Sequence, residues 1–309
     1  MTSESISLNG RSPLAKLQRS LRKRYANVWA FFGDRRLVRG DTAGAVRCCR
    51  KAIAISDQCN RAYRLMAQAL MPGETHYEIL ERIHRYLAPE SYLEIGVQSG
   101  ASLTFAARGT RAVGIDPHPR IIHPIGSRAK LFPMTSDAFF ERFDLLAELG
   151  TERLALAFID GLHHFEQVLR DFRHIERYAD ADTVVLIHDC YPISAPAATR
   201  ECRTSFWCGD VWKVVPCLRS LRPDLNLGII PSYPSGLALI TGVDRGSSDA
   251  SLTDDRQLDA FRNMDFDDMA RERESWPEVV ANDWPSIEAL LPTGSQWTVA
   301  GRRHATDPS

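Results

Sequence analysis

The feature that most limits what this chain can fold into is a rhythm that begins after Pro72-Gly73 and runs to Val243. Short apolar runs alternate there with stretches of helical periodicity. The runs at 92–97, 112–116, 130–134, 154–160, 183–189, 225–230 and 237–243 read as strands, and 101–108, 136–149, 164–178 and 211–221 as helices. Alternation of this kind predicts an α/β fold, a mostly parallel sheet with helices on both faces. The last two strands, joined by a Pro-Ser-Tyr-Pro-Ser-Gly turn, predict an antiparallel edge. In open sheets, ligands sit at the carboxyl ends of the strands. The polar residues that close each strand are therefore the candidates for chemistry.

The first strand runs into Glu94-Ile95-Gly96-Val97-Gln98-Ser99-Gly100, an arrangement Glu-x-Gly-x-x-x-Gly. Gly96 would let a ligand lie against bare backbone, and Gly100 would permit a tight entry into the helix expected from Ala101. The spacing is not the GxGxxG of dinucleotide enzymes, and an acid inside the loop disfavours a pyrophosphate. It suits a ligand that carries positive charge. Asp116 closes the second strand about twenty residues on, where a carboxylate can accept from both hydroxyls of a ribose. Ser136-Asp137 follows the third strand, and a helix cap and a ligand contact are both open readings of it. Asp160 closes the fourth strand with His163 three residues later, and His188-Asp189 closes the fifth. Carboxylates on adjacent strand ends lie close enough to share a divalent cation. Taken singly, Asp160 can equally cap the helix behind it, and Asp189 the turn before Pro192.

Together the segments EIGVQSGAS, GIDP, IDGLHHFEQVLRD and LIHDCY resemble the class I S-adenosylmethionine-dependent methyltransferases. The likeness is to the family often labelled type 24 and to the metal-dependent catechol and macrolide-sugar O-methyltransferases. It implies a Rossmann-like methyltransferase sheet and S-adenosyl-L-methionine as cofactor. Carried over residue by residue, it implies cofactor contacts from Glu94, Gly96, Gly100, Ser102 and Asp116, with Ser136 and Asp137 at the adenine. It further implies His163 as the catalytic general base and Asp160, His188 and Asp189 as ligands of a metal ion. The chain departs from its relatives in reading His188-Asp189 for an acidic pair, and Asp189-Cys190 for the Asp-Asn of the catechol enzymes. An imidazole in the ligand set moves the expectation from Mg²⁺ alone towards Mn²⁺, and a metal-free site in which His163 acts alone stays open. The implied reaction is O-methylation of a small hydroxylated acceptor, sugar-like or a secondary metabolite. The rival class is an adaptor whose helical repeat binds a partner and whose methyltransferase-like domain is inactive or only binds cofactor. Residues 191–210 are expected to overhang the pocket, offering Arg200, Arg203, Phe206 and Trp207 to the acceptor.

The flanks differ in charge. The chain holds 38 Lys and Arg against 39 Asp and Glu, but residues 1–72 carry +10, 73–243 carry −4 and 244–309 carry −7. A mildly acidic catalytic unit suits a sulfonium and argues against a nucleic-acid enzyme, which needs a basic excess. Residues 11–25 hold six basic residues and no acid, with Leu14, Leu17 and Leu21 at helical spacing. Trp29, Phe32, Gly33, Gly40, Asp41, Ala45, Cys49, Ala52 and Ile53 then resemble a tetratricopeptide repeat in which Asp57 replaces the expected proline. One and a half repeats cannot bury a solenoid core, which takes about three, so a helical cap on the next domain is expected. The tail after Val243 reads as one or two acidic helices, loose from Gly294. Three regions follow: 1–72 helical, 73–243 catalytic and 244–309 an acidic extension. The chain shows no secretory pattern and no apolar run of the roughly 18 residues a membrane span takes. Its seven cysteines include no CxxC, so reduced thiols in the cytoplasm are expected. The expected partners are a small-molecule acceptor, no nucleic acid, no stably inserted membrane, and a second copy or another protein through the N-terminal helices.

Overall fold

All seven expected strands enter one sheet in the computed structural model, which describes residues 13–244, 252, 254–272 and 276–292. They are β1 (Ser91–Ile95), β2 (Arg111–Ile115), β3 (Ala129–Phe132), β4 (Leu156–Ile159), β5 (Val184–His188), β6 (Asn226–Ile230) and β7 (Leu237–Thr241). Their order is β3-β2-β1-β4-β5-β7-β6, with the first five parallel and β7 antiparallel to both of its neighbours. Every residue of β1, β4, β5 and β7 is buried. That is why β4, β5 and β7 read as near-continuous apolar runs rather than as alternating ones, while Glu94 interrupts the run of β1.

The register sets the site. Ile95 pairs with Ile115 on one side and Ile159 on the other, and Ile159 pairs with Ile187. The residues that follow, Gly96, Asp116, Asp160 and His188, therefore leave the sheet in one row. Because β7 runs the other way and pairs Leu237 with His188, the turn that enters it also meets this rim.

The helices are α1 (Pro13–Val38), α2 (Thr42–Ile55), α3 (Asn60–Leu70), α4 (His76–Leu87), α5 (Ser136–Arg142), α6 (Leu145–Leu149), α7 (Phe165–Glu176), α8 (Val214–Leu221), α9 (Asp255–Arg262), α10 (Phe266–Glu272) and α11 (Trp284–Glu288). Helix α4 falls in a stretch for which the sequence pattern predicts no element. It opens on a capping box in which Thr75 and Glu78 satisfy each other's backbone amides, and it buries Ile79, Leu80, Ile83 and Leu87 on one face. These pack with Tyr92, Phe158, Leu186, Leu239, Ile287 and Leu291 in the core of the sheet. The expected helix at 101–108 is a single 3₁₀ turn, Ser102–Phe105, in which the Thr104 hydroxyl donates to the Ala101 carbonyl at 2.6 Å and competes with helical bonding. The expected 136–149 helix breaks at extended Phe143, and Asp144 caps a second one.

The chain divides into two compact units: the described residues up to Leu70 with Thr204–Phe206, and the remainder from Met71. In the first, α1 is one continuous helix where a short basic helix and a repeat helix were expected, and its Ala26, Ala30 and Gly33 are buried. Arg61 of α3 pairs with Asp34 of α1 at 2.6 Å, and Phe206 stacks on Tyr63. In the second unit the tail belongs to the sheet's edge. Ile229 of β6 donates to Glu278 O and accepts from Val280 N, at 2.7 and 2.9 Å, so the outer edge of β6 is paired rather than bare. The expectation for residues beyond Gly294 lies outside the described residues. All seven cysteines are free, and no helix among the described residues is long and apolar enough to cross a membrane.

Candidate active site

At the β1 end the loop turns back under itself. Gly96 has φ +96°, and a Cβ there would stand 2.0 Å from the Asp160 carbonyl. The close approach of two loop backbones requires a glycine here, whatever ligand the loop also meets. Glu94 and Ser102, both expected at the cofactor, are here hydrogen-bonded to each other beneath the loop. Glu94 is wholly buried, accepting from Tyr92 Oη at 2.8 Å and from Ser102 Oγ at 2.6 Å. Burial, only partly offset by those hydroxyls, pushes its carboxyl up to about 8. The pair braces the loop from below. Gly100 closes the turn by donating to Val97 O at 2.8 Å.

Asp116 is half-buried beside this loop. Its two oxygens accept from Gln98 N and His118 N, both at 2.7 Å, and a carboxylate has about four acceptor positions, so two remain for a ligand's hydroxyls. Ser136 is buried and donates to Asp171 Oδ1 at 2.6 Å, while Thr135, not Ser136 or Asp137, caps α5. Asp137 is exposed, with Arg170 Nε and His174 Nε2 each 3.6 Å away.

The fourth and fifth strand ends meet. His163 places Nδ1 3.1 Å from Asp189 Oδ2 and Nε2 3.5 Å from Asp160 Oδ1. Nδ1 is buried without an aligned hydrogen bond, so the Asp189 contact is close but misdirected. Among the described residues, Asp160, His163 and Asp189 offer ligand atoms that all lie within 4.8 Å of one another. His188, read from sequence as a ligand, is not in that group. Its Nδ1 lies 3.0 Å from Asp160 Oδ1, and its Nε2 is 3.4 Å from the Ser235 hydroxyl, which in turn donates to Asp189 Oδ1. Burial disfavours charge on His163, but Asp189 and Asp160 outweigh it and push the imidazole up to about 9. Burial likewise opposes ionisation of Asp160, yet His188 and His163 hold its carboxyl well below the usual range.

Residues 93–190 match a family model described as "Methyltransferase domain". This segment is a methyltransferase domain. Among solved structures the chain is similar to the O-methyltransferase TomG of Streptomyces achromogenes, involved in tomaymycin synthesis and in complex with SAM (18% identity, 54% of this chain and 79% of that one, TM-score 0.42). It is also similar to a Bacillus cereus O-methyltransferase in complex with SAH (12% identity, 64% and 90%, TM-score 0.42), and to an SAH-bound Podospora anserina methyltransferase (19% identity, 54% and 78%, TM-score 0.43). No curated protein matches the chain.

Three features of the methyltransferase domain's site had no sequence signal that singled them out. His76, from the first turn of α4, stacks on His188 with ring centroids 4.1 Å apart and keeps Nδ1 3.1 Å from Tyr233 O. Burial and the neighbouring His188 push it down to about 4. Ser235 arrives on the turn into β7. Asp210 supplies what α7 lacks: its N-cap, His164, makes no side-chain cap, and Asp210 Oδ1 accepts from Phe165 N at 2.8 Å instead. Asp210 N also donates to His163 O at 3.2 Å, and Gly209 (φ +65°) passes so close that a Cβ would stand 1.7 Å from that oxygen. Trp207 stacks on the His163 ring at 5.2 Å. Of the other loop residues expected to face an acceptor, Arg200 pairs with Glu166 and Asp210, and Arg203 with Glu201.

Proposed function

We propose that the methyltransferase domain moves a methyl group from S-adenosyl-L-methionine to an oxygen of a small hydroxylated acceptor, sugar-like or a secondary metabolite, with His163 as general base. The observation that carries this reading is the His163 imidazole set between two carboxylates on the same strand-end row as the Gly96 loop and Asp116. When bound, the cofactor supplies an electrophilic methyl carbon. Asp116 would hold its ribose hydroxyls through the two acceptor positions the loop leaves open. Methyl transfer is an in-line displacement, so the protein's main work is to orient the acceptor oxygen, and orientation of this kind is worth several kcal/mol (about 7–11 in the best cases).

His163 must be neutral to take a proton. With both carboxylates charged it keeps its own until the pH nears 9. Asp160, His163 and Asp189 fit a divalent cation, since two are hard oxygen donors and the buried His163 Nδ1 lacks an aligned partner. A bound Mg²⁺ or Mn²⁺ would offset the carboxylates' charge and acidify an acceptor hydroxyl. With that charge offset His163 would lose its proton nearer neutrality, while His188 and Ser235 hold Asp160 and Asp189 in place. The small, buried face of α1 supports reading residues 29–70 as tetratricopeptide-like helices that do not take part in this chemistry.

Calorimetry with S-adenosyl-L-methionine tests the root of the reading. The full chain should bind it, and Asp116→Ala should weaken binding about 10- to 100-fold, the loss of hydrogen bonds to a charged group. No binding by the wild type, or an unchanged affinity in the variant, refutes it.

A further inference from the structure

Helix α1 has two apolar faces, and only one of them is used. Ala26, Ala30 and Gly33 are buried on the side facing α2. Leu17, Leu21, Tyr25, Val28 and Phe32 are 57, 53, 58, 47 and 51% exposed. At about 100° per residue these five fall within an arc of roughly 80°, centred roughly 150° from the buried face. Their exposure is therefore not an accident of scattered surface residues. They form one continuous seam of aliphatic and aromatic side chains along four turns.

The seam's surroundings are cationic. Lys16, Arg19, Arg22, Lys23 and Arg24 are all exposed, and no acidic residue occurs in the helix before Asp34. On the same helical wheel Arg22 and Arg24 flank the seam at about 60° and 20° from its edges, and the other three cations lie behind it. A second copy of α1 would meet the seam but would bring these cations, or Arg35 and Arg36, against cations, a like-charge contact that costs several kcal/mol. An acidic polypeptide would meet the charge but gives the exposed rings no reason to align.

We propose that this face of α1 lies on an anionic lipid surface. The apolar and aromatic side chains would enter the acyl boundary while the flanking Arg22 and Arg24 meet the headgroups. The proposal is independent of the methyl-transfer reading, since it uses no residue of the site.

Vesicle co-sedimentation of the full chain tests it, comparing phosphatidylglycerol–phosphatidylcholine vesicles with pure phosphatidylcholine. Binding should appear with the anionic vesicles alone and weaken as salt rises. The double variant Arg22→Glu, Arg24→Glu should lose at least about twenty-fivefold in affinity, as each cation near an anionic surface is worth about fivefold. Leu17→Ser with Leu21→Ser should also lose binding, at an unchanged circular dichroism spectrum. Equal binding to neutral vesicles, or none to anionic ones, overturns the proposal. So does a concentration-dependent dimer that the leucine variant abolishes, which gives the face to a second copy. Binding to polyglutamate without binding to vesicles would assign it to an acidic protein and also overturn the proposal.

Discussion

Asp189→Asn is the substitution that most sharply probes the site's electrostatics. His163 stands at about 9 against an ordinary 6.5, a difference of roughly 2.5 pH units, or about 3 kcal/mol of added proton affinity at 1.36 kcal/mol per unit. Two carboxylates share that effect, with Asp189 the closer at 3.1 Å. Asparagine keeps the shape, and its carbonyl can still accept from Ser235, so the change removes charge with little else. The His163 resonance in a histidine NMR titration, run with chelator present and assigned through His163→Gln, should fall by at least about one unit in Asp189→Asn. The sign for stability follows from the raised folded-state value. The contribution is full below about 6.5 and is lost as pH rises through about 9. Urea unfolding of the chelated wild type should lose up to about 3 kcal/mol from this group across that window, and Asp189→Asn should lose less. A wild-type His163 that titrates near 6.5, or an Asp189→Asn protein that still titrates near 9, would refute the arrangement.

Gly96→Ala forces a left-handed backbone on an L side chain and drives its Cβ into the Asp160 carbonyl. It should cost at least about 2 kcal/mol in thermal unfolding, and a wild-type Tm would show that the two loops do not touch. Arg222 is 1% exposed and ion-pairs with buried Glu176. Arg222→Met should destabilise by about 3–5 kcal/mol by stranding that carboxylate, and Glu176→Gln in the same chain should recover part of the loss. No recovery in denaturant melts would mean that the charge is not what matters.

The sheet was legible because strands covered on both faces are almost wholly apolar, as β4 is throughout and β5 is up to His188. The strand-end residues were legible for the same reason, since each apolar run stops where a polar residue must face the rim. What the pattern could not tell was direction. Glu94 lies within a buried strand, and the apolar pattern gives no sign that the hydroxyls of Tyr92 and Ser102 are its partners. His76 and Ser235 stayed hidden because their role depends on long-range placement: His76 touches Tyr233 across 157 positions of chain. Helix α4 is different. Its signal is local, the capping box of Thr75 and Glu78. The expected helix after Gly100 failed because Ser102 and Thr104 spend their hydroxyls on local partners, which periodicity does not register.

Asp210 bears on how the domain could be redesigned. Loops that carry specificity are usually treated as interchangeable parts, fitted to a frame that stays armed without them. Here the loop ending at Gly209-Asp210 supplies the missing cap of α7 and grips the His163 carbonyl. A transplanted loop that brought a new acceptor preference but lacked this pair would leave the first turn of α7 uncapped and the imidazole free to drift from its carboxylates. On the proposed function, the choice of acceptor and the readiness of His163 cannot be swapped one at a time. A graft must carry Gly209 and Asp210 with it.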